Sequence, residues 1–170
     1  MKQLLKFCCM LALPVFLMGC DGDDYYVVES KYDLKAQNIE AVGPVFTAIA
    51  RQPELYDELV AAAEATLFSD YTDLLPISDR AVDQRGMARG NAVGLLIEAV
   101  VRQPEMKEKL DEAAGKFLGP YNSRYISAEL NAYAITAASA AISDSYARNP
   151  ELIGVIQELC KKYLNVTIGD

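Results

Sequence analysis

No histidine and no tryptophan occur among the 170 residues, and only four are cysteine. Without histidine the commonest general base and the commonest metal ligand are gone, so Ser-His-Asp and Cys-His catalysis, histidine-bound zinc and histidine-ligated haem are all excluded. Basic residues are also scarce: 16 Lys and Arg stand against 24 Asp and Glu, a net charge of −8. Nucleic acid is not expected as a partner, because phosphate binding needs clustered positive charge. No G-x-S-x-G, S-x-x-K, P-loop or dinucleotide fingerprint is present. Carboxylate neighbours such as Asp111 and Glu112 fall on polar helical faces, where solvation is the default. The expectation is a protein that is not an enzyme and carries no cofactor and no metal.

What is there begins with an address. Lys2 and Lys6 precede an uncharged stretch from Phe7 to Phe16, too short for the roughly 20 residues of a membrane-spanning helix but of signal-peptide length. Leu17-Met18-Gly19-Cys20 follows. This segment resembles the lipobox of bacterial lipoproteins, and the resemblance implies cleavage after residue 19 and acylation of Cys20. The next residues, Asp21-Gly22-Asp23-Asp24, are similar to the acidic export signal of Bacteroidetes surface lipoproteins. Together these imply a bacterial cell-envelope protein held to the membrane by its N-terminal lipid, at the outer membrane and exposed at the surface. The alternatives are inner-membrane retention, which an aspartate in this place implies in enterobacteria, and a solvated tether with no sorting meaning. Residues 1–19 would be signal, 20–29 a lipidated tether, and 30–170 one domain. Loss of Lys2 and Lys6 takes the net charge from −8 to −10. Cys8 and Cys9 leave as well, so Cys160, at helical spacing in an apolar stretch, is expected as a buried, inert thiol.

The body repeats. Residues 41–67 and 92–118 share 12 of 27 positions without a gap, at an offset of 51. Residues 138–164 form a weaker copy, offset by 46 from the second, with seven identities to it. Tetratricopeptide and ankyrin signatures are missing. All copies keep Arg-(Gln/Asn)-Pro-Glu-(Leu/Met), at Arg51, Arg102 and Arg148. Proline disfavours helix in the residue before it and suits the first position of a new helix, so each copy reads as helix A, tight turn, helix B. The arginines suit the negative ends of the A helices, pairing with Glu54, Glu105 and Glu151, or alternatively form an anion-binding row. Asn149 is expected to cap the third B helix.

The predicted fold is therefore all-α: three helical hairpins, about six helices, in a compact bundle, with an open solenoid as the alternative. The middle B helix is the most polar of the three, which puts the C-terminal pair near the centre of the bundle. In the second A helix, Gly86, Gly90 and Gly94 recur every fourth residue, at a propensity cost of about 3 kcal/mol. Close approach of another helix would offset it, and Ala132, Thr136 and Ala140 supply small residues at the aligned third-copy positions. The alternative breaks this helix at Arg85, Gly86, Arg89 and Gly90 to form an anion loop. Gly43-Pro44 predicts a kink or short break in the first A helix. Tyr71, Tyr121 and Tyr125 lie in the loops joining hairpins, as candidate contacts for a partner or ligand. The function expected is protein–protein interaction with another envelope protein, as an adaptor or accessory module. Capture of a glycan or small ligand is the alternative.

Overall fold

In the computed structural model the described residues are 36–67, 79–124 and 126–168. They form six α-helices, in three hairpins: α1 (Ala36–Arg51) with α2 (Tyr56–Leu67), α3 (Asp79–Arg102) with α4 (Lys107–Phe117), and α5 (Ala128–Arg148) with α6 (Ile153–Leu164). No strand occurs among the described residues. None of these helices is long and apolar enough to cross a membrane.

The hairpin turn is one structure built three times. Gln52, Gln103 and Asn149 adopt φ/ψ of −137/68°, −136/73° and −134/67°. Their N–H groups close the preceding helix on Ala48, Ala99 and Ser145, and their carbonyls receive Leu55, Met106 and Leu152. Each proline then opens a 3-10 turn that runs into the second helix. This is what a proline in the first helical position does, since its missing N–H would have had no partner there. Asn149 does not cap forward: its side-chain amide donates back to Ser145 O, 2.9 Å away, so it closes α5 instead of opening the next helix. The arginines end their A helices and are exposed; Arg148 pairs with Asp144 on its own helix at 2.8 Å, not with Glu151.

The long helices lie side by side, with α3 packed between α1 and α5. Glycine sets the distance. A Cβ on Gly86 would fall 2.5 Å from Leu130 O and 2.6 Å from Tyr133 Cβ. One on Gly90 would overlap the Ala134 carbonyl and come 2.8 Å from Ala137 Cβ, and one on Gly94 would touch Ala141 Cβ at 3.0 Å. Contacts that climb both helices together mean that α3 and α5 run parallel. Gly43 meets Ala92 and Leu95 of α3 as Gly94 meets Ala138 and Ala141 of α5. These residues are equivalent under the sequence repeat, so the seam between A helices is made twice in one register. The glycine stripe is a packing face, and α3 is unbroken through Arg85–Gly90. α1 also continues through Pro44, with no break. The Glu40 carbonyl that Pro44 cannot bond belongs to an exposed residue, where water is an alternative donor.

The short helices form a second layer. The apolar stripe of α4 and its turn (Met106, Leu110, Ala113, Ala114, Phe117) is buried, as are Tyr56, Val60 and Ala63 of α2 and Ile156, Leu159, Cys160, Tyr163 and Leu164 of α6. Gly119, at φ 63°, ends α4 by returning its N–H to Ala114 O at 3.2 Å. α3 is the central element, not the C-terminal pair. The polarity of α4 has a different cause: its charged residues reach both neighbours. Lys107 meets Glu158 at 2.9 Å and Asp111 meets Lys162 at 2.6 Å on α6. Lys116 meets Glu64 at 3.7 Å, and Lys109 sits 4.9 Å from the Tyr56 ring, on α2.

Candidate functional site

Two surfaces stand out from the packed interior. The first is a cleft of about 320 Å³ at the N-terminal half of α3, lined by Arg85, Arg89, Ile39, Leu118, Ile126 and Leu130, among others. Its arginines project one turn apart from an intact helix, so the anion loop offered as the alternative to packing is not formed. Gly86 and Gly90 face α5, and their N–H groups lie within the helix. Arg89, 5% exposed, donates to Leu118 O at 2.7 Å, Gly119 O at 2.9 Å and Tyr163 O at 3.1 Å. These carbonyls are the C-terminal ends of α4 and α6, the negative poles of two helix dipoles. Burial pulls the guanidinium down to about 10, and nearby Tyr163 pushes weakly the other way. Its charge is thus taken up by the fold. Arg85, 9% exposed, lies one turn earlier in the same cleft. Asn131 also closes α6, through an amide donated to Leu164 O at 2.7 Å.

Asp111 and Tyr163 form a related tie. The Tyr163 hydroxyl donates toward Asp111 O at 3.0 Å and Oδ1 at 2.8 Å. Asp111 is therefore an anchor between α4 and α6 rather than a freely solvated carboxylate. Burial first, and then Asp111, push the Tyr163 phenol well above its usual range. Cys160 is fully buried, and burial pushes its thiol up to about 11, so it is inert as expected. No group of three metal-ligating side chains occurs among the described residues.

Of the tyrosines picked out by sequence, Tyr71 and Tyr125 lie outside the described residues, as does Cys20. Tyr121 is half-buried, and its N–H donates to Lys162 O at 2.8 Å, pinning the α4–α5 connection to α6. Tyr133 was missed. It is 38% exposed on α5, and Met87, 49% exposed, is its equivalent on α3 under the 46-residue offset. Aligning the copies and asking which repeated position stays large and apolar without an inward face would have found the pair.

The second surface is the outward side of α5. Ala132, Thr136, Ser139, Ala140 and Ser143 are exposed there, beside Tyr133. No charged residue occurs from 130 to 143. Ala132, Thr136 and Ala140 had been expected to pack as their equivalents Gly86, Gly90 and Gly94 do. They face outward instead, because no fourth A helix follows among the described residues. At the other end of the layer, Glu40, Ala41 and Pro44 of α1 are exposed in the same way.

No family model, curated protein or solved structure matches the chain.

Proposed function

We propose that this chain is a lipid-anchored module of the bacterial cell envelope that docks a protein partner on the outward face of α5 and performs no catalysis. The observation that carries the reading is that face: an exposed helix side, uncharged from 130 to 143, with the exposed Tyr133 beside it. A surface helix with no work to do is normally covered in charge, and this chain has charge in plenty on α2 and α4. Uncharged exposed helix sides with an aromatic at hand suit protein contact. The lipobox-like Leu17-Met18-Gly19-Cys20 supports the anchor, and the acidic residues after it support display at the outer membrane surface. Capture of a glycan or small ligand has less behind it, because Arg89 in the cleft is committed to three carbonyls.

The docking claim is tested by a photo-cross-linking residue placed at Thr136 in the native membrane, with exposed Lys161 on α6 as the control position. Adducts from position 136 and none from 161 are expected; silence at 136 would overturn the reading. The anchor is tested separately. Cys20→Ala should abolish incorporation of labelled fatty acid, and retained labelling would remove the anchor from the proposal.

A further inference from the structure

The exposed sides of α5 and α1 are the two unused halves of an interface that the chain already builds twice. We propose that the outward face of α5 receives α1 of a second copy of this chain, so that copies associate head to tail. The proposal rests on the docking reading above and names what docks.

The register decides the partner. Inside the chain, Gly43 of α1 meets Ala92 and Leu95 of α3, and Gly94 of α3 meets Ala138 and Ala141 of α5. The next member of the series has Ala140 of α5 in the glycine position. The helix it calls for must present the equivalents of Ala92 and Leu95, and in this chain those are Ala41 and Pro44 of α1. All three residues are exposed. Glu40 would approach Thr136, a hydroxyl on a face without charge, so no like-charge pair is created. A side chain in place of glycine has a precedent in the chain: Ile39 stands at the Gly90-equivalent position of α1 and is partly buried against the core. Because the seam joins parallel helices, every copy enters in the same orientation. The N-terminus of each α1, 16 residues beyond Cys20, then points the same way, as attachment to one membrane requires. Two different surfaces meet at such a contact, so the assembly is a chain or a ring of copies rather than a two-fold dimer.

Disulfide trapping in the native membrane tests this with the full chain. Ala41→Cys and Ala140→Cys place thiols on residues whose internal equivalents touch, within the reach of a disulfide. The variant carrying both should give a ladder of cross-linked species under mild oxidation. The two single variants expressed together should stop at dimers, and either single variant alone should give none, because Cys160 is buried. A dimer from Ala140→Cys alone would overturn the head-to-tail arrangement in favour of a two-fold one. An Ala140→Cys adduct with a different polypeptide would overturn the second copy as occupant while leaving the docking face standing. No adduct from Ala140→Cys in any combination would overturn both. An independent readout is the weight-average mass in sedimentation, which should rise with concentration for the unmodified chain and lose that rise in Ala140→Glu. A mass that stays at the monomer for the unmodified chain would also overturn the inference.

Discussion

Replacing Gly90 with alanine isolates the packing of α3 on α5. The substitution changes two quantities of opposite sign. Helix propensity favours alanine over glycine by roughly 0.8–1.0 kcal/mol in a helix interior. Against this, the new methyl would overlap the carbonyl of Ala134 and lie 2.8 Å from the Ala137 methyl. The first obstacle is backbone, which cannot rotate away, so the helices must separate. Overpacking of this kind typically costs about 1–3 kcal/mol. The net expectation is destabilisation by about 0–2 kcal/mol. Gly115 on α4 is the internal control, since a Cβ there meets nothing within 4 Å. Gly115→Ala should follow propensity alone and stabilise by about 0.5–1 kcal/mol. The two variants, chemically the same, should differ by roughly 2 kcal/mol, or several degrees in Tm for a body of this size. Urea unfolding followed by far-ultraviolet circular dichroism measures both. If Gly90→Ala proves as stable as Gly115→Ala, the close seam between α3 and α5 is not real, and neither is the register it sets.

Three further outcomes follow from the interior. Arg89→Leu removes the donors to three buried carbonyls and should cost about 3 kcal/mol in the same urea assay, at about 1–3 kcal/mol per orphaned group less the relief of desolvating a cation; an unchanged midpoint would mean those carbonyls are solvated. Stability should fall as pH rises past about 9, because the Cys160 thiol (raised to about 11) and the Tyr163 phenol are both held above their unfolded values. Such groups stabilise the fold below their unfolded values, and that contribution is lost as pH climbs through the folded ones; Arg89, lowered to about 10, acts in the opposite sense above that pH. Tyr163→Phe should flatten part of the decline above pH 10, the unfolded value of the phenol, and an identical pH profile would count against the assignment.

The hairpins were legible in sequence because they are local. The Arg-(Gln/Asn)-Pro-Glu turn, the stop at Gly119-Pro120 and the apolar stripe from Met106 to Phe117 depend on residues within a turn or two of each other. The centre of the fold was not legible. Lys107, Asp111 and Lys116 read as a solvated face, whereas charge also reaches sideways once α2 and α6 flank the helix. Arg85 and Arg89 beside two glycines left an anion loop open as the alternative to a packed helix for the same reason. A guanidinium that closes helix ends 29 and 74 residues away depends on tertiary placement, which spacing does not encode. Small residues carried a further ambiguity. Gly90 and Thr136 occupy the same repeat position, yet one is buried against a neighbour and the other faces outward, and only the presence of the next helix distinguishes them.

The ties around α4 give the stack an uneven stiffness. At their glycines, neighbouring A helices leave no room for a methyl, and salt has little hold on contact of that kind. The B helices are joined to one another by the Tyr163–Asp111 hydrogen bonds and by partly exposed ion pairs, each pair worth at most about 1 kcal/mol and weakened by added ions. Bending would therefore hinge on the A layer and open between α2, α4 and α6, and ionic strength would set how readily it does so. Amide exchange in α2 and α6 should accelerate with salt while α3 stays protected; equal acceleration in both layers would contradict this picture.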